Sequence, residues 1–227
     1  QAGLIVAHKD NSTWPKDTIE NSVSSWASIA IGNSGIPHIT YQTEHLIYAY
    51  LNDSLWQKTV VDSNIYTESG CAIDLDLGSQ PHISYFRLGS IMGDNPWYAK
   101  KIAGEWHCEE IDNPDIPNWK PTSIRINLDN QPCVVYSPSG TLIKYAYRDS
   151  IWHCEALGVG SGQIYTKKSL DIDSLNRPYI LYSYGSNTLL TYKDSIGWHE
   201  EILPLTPTTT RGYGGSLRID KDGIIYI

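Results

Sequence analysis

Five aromatic residues, Trp26, Tyr66, Trp119, Tyr165 and Tyr213, stand in local contexts that share nothing but the ring: SSWAS, IYTES, NWKPT, IYTKK and GYGGS. A flat ring with an apolar face and a polar edge is the group that stacks on the apolar face of a sugar. Glu68, Lys120, Lys167 and Arg211 lie beside these rings and would hydrogen-bond hydroxyls. Gathered on one rim, the five would make a glycan-binding surface. The competing role is to plug a channel mouth, since exposed aromatic clusters are uncommon unless something covers them.

Other reactive groups carry less. Asp74-Leu75-Asp76, Asp171-Ile172-Asp173 and Asp220-Lys221-Asp222-Gly223 approach the spelling of a calcium loop but lack its remaining oxygen ligands and distal Glu. Caps on hairpin turns suit them better. His38 and His82 each follow a proline, yet the same slot later holds Cys133 and Tyr179, so a metal or acid-base role would have to survive that change. His107, His153 and His199 are too dispersed to share an ion. Cys71, Cys108, Cys133 and Cys154 have no CxxC spacing, and Cys108 and Cys154 fall a whole repeat apart, too far for a mutual bridge. Neither a metal, a cofactor nor a disulfide framework is expected. The sequence has no Gly-x-Ser-x-Gly elbow, phosphate loop or HExxH. A glycoside hydrolase needs a carboxylate pair, for which Asp74 and Asp171 are candidates without a distinctive companion Glu. The expectation is a protein that is not an enzyme.

The elements that would position these residues are written as a repeat. Trp14, Trp56, Trp106, Trp152 and Trp198 open the phrases WPKDTIE, WQKTVVD, WHCEEID, WHCEALG and WHEEILP, at intervals of 42, 50, 46 and 46 residues. Pro37, Pro81, Pro132 and Pro178 open PHITY, PHISY, PCVVY and PYILY. Before each lies a run of the type SIRINLDN, and after each a run of the type LIYAY. Period-two alternation with Gly, Asn and Asp between runs predicts four short strands per unit, here called A, B, C and D. Four strands in 40 to 50 residues is the size of one β-propeller blade.

The chain starts with C- and D-type runs (Leu4 to Lys9, then WPKDTIE) and finishes with A- and B-type runs (SLRIDKDG, then IIYI). Joining them gives an all-β, five-bladed propeller of four-stranded blades, with the ring closed by N-terminal strands C and D pairing with C-terminal strands A and B. The domain is then a single unit over 1–227, with blades at about 25–62, 70–112, 121–157, 167–203, and 214–227 plus 4–20. D-to-A and B-to-C loops gather on one face, and the five aromatics sit in the D-to-A loops. Repeated Trp and Tyr positions are assigned to packing between blades, against the rival of a ring of sugar-stacking indoles. The longest B-to-C connection, FRLGSIMGDNPW (Phe86 to Trp97), is either a surface loop or a partner contact through Leu88, Ile91 and Met92.

The unit resembles the repeats of secreted, largely uncharacterised microbial β-propeller proteins, which read much like Ser-Leu-Ala-Ile-Asp, Gly-x-Pro-His-Ile-Ser-Tyr, Leu-Lys-Tyr-Ala and Trp-x-x-Glu. The resemblance spans the chain and implies the propeller fold and an extracellular setting. Five blades also resemble tachylectin-type lectins in architecture alone.

Composition agrees: 16 Tyr, 8 Trp, 18 Gly and 12 Pro, with one Met and one Phe, favour strands over helices. A net charge of −8 argues against nucleic acid and against anionic membrane surfaces as partners. No apolar run reaches the length of a membrane span. The expected function is non-catalytic, extracellular binding of a glycan or glycoconjugate through Trp26, Tyr66, Trp119, Tyr165 and Tyr213. The alternative is a structural, self-assembling subunit of a filament or surface layer whose partner is another copy of the chain; a glycoside hydrolase ranks third.

Overall fold

The computed structural model describes residues 3–23, 25–65, 70–88, 94–113, 121–139, 142–157, 162–163, 169–185, 187–204 and 215–227. Among them, every regular element is a strand and every pairing is antiparallel. β1 (Leu4–Ala7) and β2 (Lys16–Glu20) form a two-stranded sheet. Sheet one follows, with β3 (Ser25–Ile31), β4 (Pro37–Gln42), β5 (Leu46–Asn52) and β6 (Leu55–Asp62) in sequence order. Sheet two holds β7 (Ala72–Leu75), β8 (Pro81–Leu88), β9 (Asp94–Ile102) and β10 (Glu105–Glu110). Sheet three holds β11 (Ser123–Ile126), β12 (Pro132–Ser139), β13 (Leu142–Arg148) and β14 (Trp152–Ala156). In sheet four, β15 (Gly162–Gln163) and β16 (Leu170–Ile172) both pair with β17 (Pro178–Tyr184), which continues to β18 (Asn187–Lys193) and β19 (Trp198–Ile202). β20 (Arg218–Ile219) and β21 (Ile225–Tyr226) form a last two-stranded sheet.

The repeat therefore folds as four A-B-C-D sheets and two half sheets. Among the described residues β1 pairs with β2 and β21 with β20, and no ladder joins β1 to β21. Two details depart from the strand pattern read in the sequence. β15 is additional: β17 runs past its A partner, and Ser183 and Tyr184 pair there with Gln163 and Gly162. Much of the connection from Phe86 to Trp97 is strand, because Phe86, Arg87 and Leu88 pair with Pro96, Asn95 and Asp94. Phe86 is fully buried rather than part of a surface loop; Ile91 and Met92 lie outside the described residues.

Each A-to-B hairpin turns on one left-handed residue. These are Gly35, Ser79, Asn130, Asn176 and Gly223, with φ between 59° and 81°. Gly and Asn, which tolerate αL, occupy four of the five places, and Ser79 adopts it with its N–H donating to the Asp76 carbonyl at 2.9 Å. Four turns are further fixed by a side chain that accepts two backbone N–H groups: Asp76 (2.8 and 2.7 Å), Asn127 (3.0 and 2.9 Å), Asp173 (2.9 and 2.8 Å) and Asp220 (2.9 and 2.9 Å). Of the acids with calcium-like spelling, Asp76, Asp173 and Asp220 are hairpin caps.

No sheet buries a core by itself. Five apolar clusters form, one at each contact between consecutive sheets or half sheets. Tyr41, Tyr85 and Tyr136 are fully buried there, each side chain being worth roughly 1.5–3 kcal/mol of burial. The outer-strand indoles lock neighbours edge to face: Trp106 on Tyr48 (5.2 Å, 71°), Trp152 on Tyr98 (5.4 Å, 73°) and Trp198 on Tyr145 (5.5 Å, 74°). Each indole N–H donates to the preceding outer strand: Trp56 to Asp17 at 3.3 Å, Trp106 to Thr59 at 3.1 Å, Trp152 to Glu109 at 3.1 Å and Trp198 to Glu155 at 3.0 Å. These four tryptophans serve packing.

β3, β7, β11, β16 and β20 all line one central cavity of about 530 Å³. Their channel-facing N–H groups are answered across sheets. Ser28 accepts from Ile73 (3.3 Å), Asp74 from Ile126 (2.8 Å), Ser123 from Leu170 (3.2 Å) and Asp171 from Ile219 (2.7 Å). Buried Asp171 also accepts from Arg125 Nε (2.8 Å) and an Arg125 terminal nitrogen (2.6 Å). Asp171→Ala would leave Arg125 with Asp74 alone, at 3.5 Å, and the Ile219 N–H without its acceptor, and chemical denaturation is expected to show a loss of about 3 kcal/mol. Asp171→Asn, which keeps an acceptor, should lose clearly less.

Candidate functional site on the loop face

Of the five aromatics expected to form the binding rim, the structure describes Trp26. In the β3–β4 ladder Ser25 pairs with Gln42 and Ala27 with Tyr41, so Trp26 is the extra residue of a β-bulge. A bulge breaks the alternation that would otherwise assign the side chain to one face of the sheet. The indole is 43% exposed, and its carbonyl accepts the Cys71 thiol of the next sheet at 3.6 Å. Tyr66, Trp119, Tyr165 and Tyr213, with Glu68, Lys120, Lys167 and Arg211, lie outside the described residues.

A second set of polar groups sits at the same ends of the blades. The sixth residue after Trp14, Trp56 and Trp106 is acidic: Glu20, Asp62 and Asp112. Glu20 and Asp62 close their D strands and Asp112 lies two residues past the end of its own, and each receives a buried tyrosine hydroxyl from strand B of the next sheet. Tyr41 donates to Glu20 at 3.4 Å, Tyr85 to Asp62 at 2.7 Å and Tyr136 to Asp112 at 2.7 Å. A cation completes every slot, from a different element each time. Lys58 of β6 reaches Glu20 at 3.1 Å, Arg87 of β8 reaches Asp62 at 3.3 Å and Lys144 of β13 reaches Asp112 at 2.6 Å. Arg87 also lies 4.3 Å over the Trp97 ring.

The slots differ in access. Glu20 and Lys58 keep 32% and 39% of their side chains exposed, whereas Asp62 keeps 6%. At the fourth contact, the sixth residue after Trp152 is Gly158, and the Tyr182 hydroxyl turns to Glu200 of its own sheet. Sequence reading missed this acid-tyrosine-cation set. The acid's fixed distance from Trp was a usable signal, whereas the cation comes from three unrelated places in the repeat.

Electrostatics fix the charge states. The Lys58 hydrogen bond leads in holding the Glu20 carboxyl below its ordinary value. For Asp112 burial pulls upward, but Lys144 and Tyr136 together outweigh it and the carboxyl is held low. Burial pushes the Tyr85 and Tyr136 hydroxyls well up, so they act as donors. A carboxylate and a cation side by side offer an acceptor and donors to a pair of vicinal hydroxyls.

His38 and His82 belong to blade interiors. His38 shares a hydrogen bond with the Tyr48 hydroxyl at 2.6 Å and His82 with Tyr98 at 2.5 Å, while Tyr145 donates to Cys133 at 3.1 Å. Imidazole and thiol fill one slot because each can partner a tyrosine hydroxyl. Burial lowers the affinity of His38 and His82 for a proton. The four cysteines are free thiols. Among the described residues no group of three or more His, Cys, Asp or Glu is placed to hold a metal ion. In the channel Asp74 and Asp171 share Arg125, at 3.5 and 2.6 Å, so both candidate acids of a hydrolase are tied into inter-sheet struts.

No protein-family model matches this chain, and no curated protein does. Solved structures match in fold. A triple arginine mutant of AofleA from Arthrobotrys oligospora superposes with a TM-score of 0.64 at 9% identity, over 98% of this chain and 71% of that one. A mutant Aleuria aurantia lectin in complex with Fucalpha1-6GlcNAc gives 0.61 at 12% identity, over 90% and 72%. An endo-arabinase from Bacteroides thetaiotaomicron gives 0.51 at 10% identity, over 89% of each chain. The shared property is the propeller-like arrangement of small antiparallel sheets.

Stability should follow the titrations. His38 and His82 bind protons less readily folded than unfolded, so stability is complete above the ordinary histidine value of 6.5 and falls as pH drops below it. Glu20 and Asp112 are depressed from 4.5 and 3.8, so their contribution is present above those values and lost as pH falls further. Denaturation midpoints from pH 8 to 3 are expected to show two successive declines, with Asp112→Asn flattening the more acidic one.

Proposed function

We propose that this protein is a non-catalytic, extracellular carbohydrate-binding propeller, with both half sheets joined as one blade of a closed five-bladed ring. Glycans are held on the loop face by an exposed aromatic platform and by the acid-cation slots at blade junctions. The observation that carries this reading is Trp26, an indole left 43% exposed by a bulge on the connection that also bears Glu20. An indole offers the apolar face of a sugar a surface, and the Glu20–Lys58 pair offers its hydroxyls partners. Trp119, Tyr66, Tyr165 and Tyr213 supply equivalent platforms from the other D-to-A connections. Weak sites repeated around the ring gain strength through multivalency.

The fold likeness supports the reading, because the Aleuria aurantia lectin structures are complexes with a fucosylated disaccharide and with methyl fucoside. Fucosylated glycans are therefore the first ligands to try. A glycan array followed by calorimetry should detect binding, Trp26→Ala and Lys58→Ala each weakening it about tenfold, the scale of one lost stacking or charged contact. A blank array with folded protein would end the proposal.

A second reading, a self-assembling subunit, draws on the opposite face. Leu77, Leu128 and Leu175 of the A-to-B turns, with Ile151 and Ile196 of the C-to-D turns, are all more than half exposed. Copies joined there would bury a studded apolar surface. Sedimentation at rising concentration separates the readings: a constant monomer mass removes assembly, while ordered polymers support it.

A further inference from the structure

Two opposite charges line the central cavity without meeting. Arg125 is committed to Asp171, giving its Nε at 2.8 Å and a terminal nitrogen at 2.6 Å, and the same carboxylate accepts the Ile219 N–H at 2.7 Å. Arg218 is a second cation beside an acid already spent. Its contact with Asp171 is 3.7 Å, longer than a hydrogen bond, and 66% of its side chain is exposed. Asp74 has the converse shortage. It holds a terminal Arg125 nitrogen at 3.5 Å and the Ile126 N–H at 2.8 Å, and burial, the largest influence on it, raises its carboxyl above the ordinary value. Among the described residues no ion pair joins Arg218 to Asp74.

Arg218, Asp74 and Ala30 lie on the wall of one cavity of about 530 Å³, together with Asp76 and Arg125. The third position is charged in four of the A-type runs, whereas Ala30 fills it in the first with a methyl group that adds neither charge nor bulk. The volume falls within the roughly 300–1,000 Å³ of small-molecule sites. Charge then selects among occupants. An anion alone would be drawn to Arg218 but would face the carboxylates of Asp74 and Asp76, and a cation alone would face Arg218 and Arg125. A neutral molecule leaves both shortages standing. A small molecule with one charge of each sign answers both.

We propose that this cavity binds a small zwitterion carrying a carboxylate and a primary ammonium group, of which a free α-amino acid is the simplest. Arg218 gives paired N–H groups to the carboxylate, in the fork geometry of a guanidinium, and Asp74 accepts from the ammonium. The site lies on the inner strands and is independent of glycan binding on the loop face. A blank glycan array therefore does not bear on it.

The test is calorimetry on the full chain with L-alanine and L-leucine, each compared with its N-acetyl and carboxamide derivatives, which lack one of the two charges. The amino acids are expected to bind, and both kinds of derivative to bind at least about tenfold more weakly, the scale of one lost charged hydrogen bond. Arg218→Gln, at an exposed position, should melt as the parent does and bind amino acid and carboxamide equally. Asp74→Asn, which keeps an acceptor for the Ile126 N–H, should bind amino acid and N-acetyl derivative equally; the derivatives on the parent protein test the ammonium contact even where this variant fails to fold. No heat from either amino acid would overturn the proposal. So would an N-acetyl derivative that binds the parent as well as the amino acid, which marks a plain anion site, or a carboxamide that does, which marks a cation site. Amino-acid binding undiminished by Arg218→Gln would place the ligand elsewhere and overturn it equally.

Discussion

A strand that lines a channel has one edge without a ladder partner, and the way this chain answers those N–H groups governs how its sheets stand to one another. Ser28, Asp74, Ser123 and Asp171 each reach from one inner strand to the backbone of the next. The third positions of the A-type runs (SIAI, AIDL, SIRI, SLDI and SLRI) read Ala30, Asp74, Arg125, Asp171 and Arg218 around the cavity. Opposite charges alternate until the odd member. Ala30, the uncharged member, and Arg218, 66% exposed with Asp171 at 3.7 Å, stand at the two ends of the series.

The same logic explains which parts of the fold were legible in the sequence. Strand pattern, turn positions and the four-strand unit follow from local chemistry: alternation, αL-tolerant residues and the Trp and Pro rulers. β15 and the lengthened β8–β9 hairpin were not legible, because each depends on how far a neighbouring strand happens to run. The inner-strand charges could have been read by aligning the units at Ala30, Asp74, Arg125, Asp171 and Arg218. What could not be read is that Arg125 serves two acids in different sheets, since that is a property of how the sheets sit together and not of the unit.

The candidate site was legible in a different sense. Trp26 stood out because packing periodicity did not require it, and the bulge supplies the physical reason: an unpaired residue escapes the alternation that assigns its neighbours to a face. The acid-cation slots escaped notice for the opposite reason. Their acids sit at a regular place and look like turn residues, while Lys58, Arg87 and Lys144 come from strands D, B and C. Three independent routes to one charge pairing indicate that the constraint is local neutrality. A carboxylate held against a buried tyrosine at a blade junction requires a cation to offset its loss of water.

That constraint also ranks the slots for binding. A slot whose acid is sealed, as Asp62 is under Arg87 and Tyr85, has spent its charge on the junction and has little left for a hydroxyl outside. Glu20 makes the longest tyrosine contact of the three, 3.4 Å, and with Lys58 stays about one-third exposed. The slot that holds its own blades least tightly is thus the one most open to a ligand. It also shares a connection with the bulged indole. At the junction before sheet four the acid is replaced by Gly158, and the hydroxyl of Tyr182 is retained within its own sheet through Glu200. Repetition fixed the packing residues in every blade, whereas the loop-face polar groups drifted apart. Unequal polar slots at otherwise similar blade junctions follow directly from that division.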